Sequence, residues 1–151
     1  MSGMKPLGAA RLPPVVTLAC LYLWIFRLQN RKAVFVVDDD ASTRRGVKRL
    51  LKEYGYETML FDSAQALRDH DDFDRAFCIV LDINLNGESG IDLRNQLTAA
   101  GISLPVIYIT GNDNHAKRTV ALESGCIAYL TKPFTSISLI ESVELASADP
   151  A

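Results

Sequence analysis

The sequence predicts an α/β domain built on a single parallel sheet, and two observations carry that reading. Five short apolar runs alternate strictly with stretches of helical period, the order that places helices on both faces of a parallel sheet. The first run, AVFVV at Ala33–Val37, is apolar at every position instead of every second one. A strand buried on both faces reads that way.

The elements then follow in order. Val47, Leu50, Leu51 and Tyr54 recur at i, i+3, i+4 and i+7, an inward helical stripe that Gly55 stops. ETMLF at 57–61 is a second strand, and Ser63 caps a short helix through Ala64 and Leu67. AFCIVLD at 76–82 is a third strand ending on an aspartate, and a loop follows from Ile83 to Ser89. Ile91 to Ala100 is a helix closed by Gly101, and LPVIYIT at 104–110 is a fourth strand. A helix from His115 to Ser124 stops at Gly125, and CIAYL at 126–130 is a fifth strand. The last helix runs from Ser136 to Ala146 with Ile137, Ile140, Val143 and Leu145 inward. Right-handed crossovers leave few topologies, and the expected one is a flavodoxin-like doubly wound sheet of order 2-1-3-4-5.

Charge is unevenly spread. Residues 1–32 hold five bases and no acid, whereas the remainder holds 18 acids against 11 bases. An acidic body argues against non-specific nucleic-acid binding, which needs a basic face. Cys20, Cys78 and Cys126 lack metal-ligand spacing, and they read as reduced thiols in a cytoplasmic protein. The 15-residue run Leu12 to Phe26 would make a helix of about 22 Å, shorter than the ~30 Å hydrocarbon core. Three readings of this run stay open: a weak membrane anchor, a peripheral hydrophobic tail, or an extension with no folded role. The expected division is an extension at 1–31, a domain at 32–148 and a tail at 149–151.

Chemistry converges at one sheet edge. Parallel strands aim their C-terminal ends at a common crevice, where ligands bind. Those ends carry Asp38, Asp39 and Asp40, then Asp82, then Thr110, with Lys132 in the last turn. Crowded carboxylates call for a counter-charge, and Mg²⁺ with oxygen ligands supplies one. Asp40 reads as a solvated or helix-capping acid instead of a ligand. His70 and His115 read as solvent-exposed, with no catalytic partner.

Four motifs, VVDDD (36–40), LDINLNGESG (81–90), IYITG (107–111) and YLTKPF (129–134), resemble the receiver domains of two-component response regulators. The closest likeness is to receivers that often precede helix-turn-helix outputs. The resemblance implies Asp82 as phosphoacceptor and Asp38, Asp39, Asp82 and the Asn84 backbone carbonyl as Mg²⁺ ligands. It implies Thr110 and Lys132 on the phosphoryl oxygens, Gly111 leaving them room, a cis Lys132–Pro133 bond, and Tyr129 as an aromatic switch. The resemblance also implies that Asn84 and Asn112 occupy positions that in the family tune the phosphate's lifetime. One departure is Asn86, where the family usually has proline.

The implied function is a signalling switch, not an enzyme beyond its own phosphoryl transfer and slow dephosphorylation. A histidine kinase or histidine phosphotransfer protein would supply the phosphate, and a downstream protein or a second copy would read the face of the fourth helix, fifth strand and fifth helix. Direct nucleic-acid contact is not expected. Two rivals remain: an aspartate-nucleophile phosphohydrolase using Asp38-x-Asp40, and a degenerate receiver that binds partners without phosphate.

Overall fold

The computed structural model describes residues 18–22 and 32–148. The chain divides into two compact units, Met1–Arg31 and Lys32–Ala151. Within the first, residues 18–22 are helical; the remainder of the predicted apolar run, and the 149–151 tail, lie outside the described residues. No helix among the described residues is long and apolar enough to cross a membrane.

The second unit holds strands β1 (Ala33–Val37), β2 (Glu57–Phe61), β3 (Ala76–Asp82), β4 (Val106–Thr110) and β5 (Ala128–Thr131). Its helices are α1 (Ala41–Glu53), α2 (Ala64–Arg68), α3 (Gly90–Ala99), α4 (His115–Glu123) and α5 (Ser136–Ala148). The five strands form one sheet in the order β2-β1-β3-β4-β5, and every pairing is parallel. The predicted flavodoxin-like topology is the observed one.

Register explains the solid apolar runs. Val34 and Val36 of β1 point to one face, packing with Val47 and Leu51 of α1 and Leu139 and Val143 of α5. Phe35 and Val37 point to the other, among Leu67 of α2, Leu93 and Leu97 of α3 and Ala121 of α4. Successive strand side chains alternate faces, so two cores need apolar residues at every position. The same register aligns the strand ends: Val37 lies beside Leu81, Asp82 beside Ile109, and Thr110 beside Thr131.

Several details depart from the sequence reading. The 83–89 loop is a small hairpin, Asn84–Leu85 paired with Glu88–Ser89. Its tip residues Asn86 (φ 47°) and Gly87 (φ 88°) are both left-handed, the pattern that suits Asn-Gly to two-residue hairpins. β4 starts at Val106 and β5 at Ala128, each two residues later than expected. In α5 the inward residues are Leu139, Ile140, Val143 and Ala146, while Ile137 and Leu145 are 65% and 61% exposed. Apolar residues occur around much of this helix, so composition left its rotation open and packing chose it. Tyr54 is exposed because α1 ends at Glu53, and it serves as the C-cap. His70, expected in solvent, is half-buried and meets the rings of Phe35, Phe61 and Phe73 edge-on.

These burials separate two substitutions of similar chemistry. Leu51→Ala empties a fully buried site and is expected to cost about 2–5 kcal/mol in urea unfolding. Ile137→Ala, on the exposed face, should stay within about 0.5 kcal/mol of the parent chain.

Candidate functional site

The edge formed by the C-terminal ends of β1, β3 and β4 gathers the polar groups. Asp38, one residue past β1, has no solvent exposure, and its Oδ1 accepts from the Asp40 N–H at 2.8 Å. Its backbone carbonyl accepts from the Arg44 guanidinium at 2.6 Å. Asp39 is half-buried and its Oδ2 accepts from the Asn86 N–H at 2.9 Å. Asp40 turns away as the N-cap of α1, accepting from the Ser42 N–H and the hydroxyls of Ser42 and Thr43. The Thr43 bond foremost, then those from Ser42, lower its pKa to about 2. The helix-capping reading of this acid matches its geometry.

Asp82 closes β3 and is 4% exposed. Its Oδ1 accepts from the Asn84 N–H at 2.9 Å, which orients the carboxylate. The Lys132 ammonium reaches across from the turn after β5 and donates to Asp38 Oδ2 at 2.8 Å and Asp82 Oδ2 at 3.0 Å. Burial raises the Asp38 pKa, against the opposing hydrogen bond from Lys132. Burial alone would lower that of Lys132, but the bonds to the two aspartates outweigh it and leave it raised.

One oxygen from each of Asp38, Asp39 and Asp82 lies within 4.8 Å of the others, close enough to share one cation. The donors are all hard carboxylate oxygens, the set that Mg²⁺ prefers. A single lysine offsets only part of three negative charges, so the cluster retains a demand for positive charge. The acids and lysine of the sequence reading therefore do converge.

The remaining predicted residues sit around them. Thr110 is buried, and its Oγ1 accepts from the Asn112 N–H at 3.1 Å. Its carbonyl accepts from the Lys132 N–H at 2.8 Å, tying β4 to the lysine turn. The Lys132–Pro133 bond is cis. A Cβ added at Gly111 would meet only Lys132 Cδ at 3.8 Å, an ordinary contact. Tyr129 is half-buried; its hydroxyl donates to Asp113 Oδ1 at 2.7 Å, and the Arg118 guanidinium lies 5.0 Å from its ring centre. Burial, followed by that bond to Asp113, raises the Tyr129 pKa to about 12.

Sequence reasoning missed three contributors. Arg44 and the Asn86 N–H act through the backbone, which no residue pattern reveals. Asp113 bridges Tyr129 and Arg118, the latter at 2.7 Å. Gly90 lies so close to β3 that a Cβ there would collide with the Asp82 carbonyl oxygen. The Asn86 departure has a consequence of its own: proline has no N–H to give Asp39, and its fixed φ does not fit the observed 47°.

The sequence pattern of the response regulator receiver domain matches residues 34–144. The chain belongs to that family. Receiver domains act as signalling switches, generally not as classical enzymes, and bind Mg²⁺ at an acidic pocket of this kind. Nodulation protein W of Bradyrhizobium diazoefficiens is 36% identical over 118 residues, 78% of this chain and 52% of that protein. Transcriptional regulatory protein FixJ of the same organism is 32% identical over 78% of this chain and 58% of its own length. This receiver thus spans about half the length of these relatives. Among solved structures, a response regulator receiver protein from Burkholderia phymatum superposes with a TM-score of 0.68 at 35% identity, covering 80% of this chain and 98% of that one. The response regulator StyR gives 0.70 at 37%, with 76% and 58% covered.

Gly90→Ala is expected to push the Asp82 backbone out of place. Urea unfolding should show a loss of about 1–3 kcal/mol, the usual cost of overpacking.

Proposed function

We propose that this receiver is a phosphorylation switch in which Asp82 accepts a phosphoryl group in a Mg²⁺-dependent reaction. The observation that carries the reading is the meeting of Asp38, Asp39 and Asp82 with one lysine bonded to two of them. The domain would be residues 32–148, with 1–31 an extension and 149–151 a tail. The activity would lie in its own phosphorylation and slow dephosphorylation, in the cytoplasm.

In this mechanism an Asp82 carboxylate oxygen attacks phosphorus of an activated phosphate, forming an acyl phosphate as the donor's leaving group departs. The Asn84 N–H holds Asp82 Oδ1, which leaves Oδ2, now paired with Lys132, as the attacking atom. Lys132 then has a new oxygen to neutralise, that of the phosphoryl group, while keeping Asp38. The Thr110 hydroxyl accepts from the Asn112 N–H, and its proton is free to donate to the phosphoryl group. Asp38, Asp39, Asp82 and the Asn84 carbonyl would hold Mg²⁺, whose charge offsets that of the transferred group.

A histidine kinase or histidine phosphotransfer protein would be the donor. The output would be a population shift at α4, β5 and α5, read by a downstream protein or a second copy. Tyr129 is part of β5 itself, and its hydroxyl is held by Asp113 in the segment that follows Thr110. A phosphohydrolase built on Asp38-x-Asp40 is disfavoured, because Asp40 is spent as a helix cap.

With acetyl phosphate and Mg²⁺, intact-mass measurement should show one base-labile phosphoryl adduct, absent without metal and absent in Asp82→Asn. An adduct that persists in Asp82→Asn would overturn the assignment. Mg²⁺ alone should raise the Tm of the parent chain, since a ligand bound only by the fold stabilises it. Asp39→Asn should lose most of that rise.

A further inference from the structure

We propose that Arg68, the last residue of α2, is a positioning residue for the cation site, acting on Asp39 through the 84–89 hairpin. This role rests on the Mg²⁺ site proposed above and adds to it a residue from outside the sheet edge. The three carboxylates of that site are held unequally. Asp38 and Asp82 are buried, each accepts an N–H from two residues further along its own segment, and both share Lys132. Asp39 is half-buried and is held from a distant segment, because the Asn86 N–H that donates to its Oδ2 lies 47 residues away. Where the hairpin goes, the Asp39 carboxylate follows.

The base of the hairpin is fixed from within, by the buried Leu85 and by the Gly90 N–H on the Ile83 carbonyl. Its tip is not: Asn86, Gly87 and Glu88 are all exposed, so core packing does not set their place. The outer tie is Arg68. Its Nε donates to Gln96 Oε1 of α3 at 3.1 Å, and one terminal nitrogen donates to Gln65 Oε1 of α2 at 3.0 Å. The other terminal nitrogen donates to Glu88 Oε1, and Glu88 pairs with Leu85 across the hairpin.

An isolated exposed ion pair stabilises little. Arg68 is different in geometry, because a guanidinium is a planar fork whose N–H directions are fixed relative to one another. With one arm on α2 and another on α3, the third arm sets where Glu88 can sit. The fork itself has a firm base, since the preceding Leu67 is fully buried in the core. Glu88 in turn lies two residues from Asn86, on the far side of the left-handed tip. Releasing the clamp leaves the fold intact but frees the tip, and a cation must then order Asp39 as it binds.

The test titrates MgCl₂ alone into the full 151-residue chain by calorimetry, with no phosphate donor present. Arg68→Ala and Glu88→Gln should each raise the Kd for Mg²⁺ by about threefold. The sign for Arg68→Ala is diagnostic. Removing a nearby positive charge would by Coulomb's law tighten cation binding, whereas losing the clamp weakens it. Arg68→Ala combined with Glu88→Gln should be no weaker than either alone, as expected of two residues acting as one unit. Without metal, hydrogen exchange at the Asn86 amide should quicken by about the same factor in both variants. Their Tm without metal should stay within about 2 °C of the parent, which separates a loosened tip from a damaged fold. Absence of saturable Mg²⁺ binding by the parent chain would overturn the cation site itself. Binding by the parent with an equal or tighter Kd in Arg68→Ala, or an unchanged Asn86 exchange rate, would overturn the clamp.

Discussion

The bridge from Lys132 to Asp38 and Asp82 is the interaction on which the site depends. Two carboxylates with 0% and 4% exposure are costly at short range without a cation between them. Lys132 lies 94 and 50 residues away from them in the chain. Only the strand order β2-β1-β3-β4-β5, with all strands parallel, brings its turn to the edge where β1 and β3 end. The lysine offsets part of the charge and leaves the cluster electronegative. A fold held partly short of positive charge is suited to recruiting a cation and then an anion to the same place.

Around that bridge, backbone donors fix the carboxylates one by one. Asp38 is held by the Asp40 N–H, Asp82 by the Asn84 N–H and Asp39 by the Asn86 N–H. Gly90 lets α3 start against the Asp82 carbonyl, and its own N–H donates to the Ile83 carbonyl at 2.7 Å. The Asn86-Gly87 hairpin is thus part of the site: its left-handed tip places the donor that Asp39 uses. Preorganisation of this sort comes from turns and caps more than from any one side chain.

The surface is as unevenly built as the site. α4 buries only Ala121 and exposes Val120 and Leu122. Polar contacts hold it at both ends, with Asp113, Arg118 and Tyr129 at its start and Arg94 on the carbonyls of Ser124 and Gly125 at its finish. α1 instead packs through Val47 and Leu51 and turns a row of bases outward. An element tied by a few polar bonds can shift at small cost, whereas one anchored in the core serves better as a fixed platform.

The sequence by itself determined the fold class and the order of strands, because two buried sheet faces demand apolar residues at every strand position and helices between them. It also placed Asp38, Asp82, Thr110 and Lys132 at one edge, since parallel strands all end on the same side. The rotation of α5 was not legible: Ile137 and Leu145 are as apolar as Leu139 and Val143, and only packing against β1, β3 and β4 separated them. Nor were the clasp of Asp113 on Tyr129, the reach of Arg44 to a backbone carbonyl, or the closeness of Gly90 to Asp82. Each depends on distances between segments far apart in the chain or on backbone groups that every residue shares. Such contacts carry no residue-level pattern, and only the assembled tertiary structure decided them.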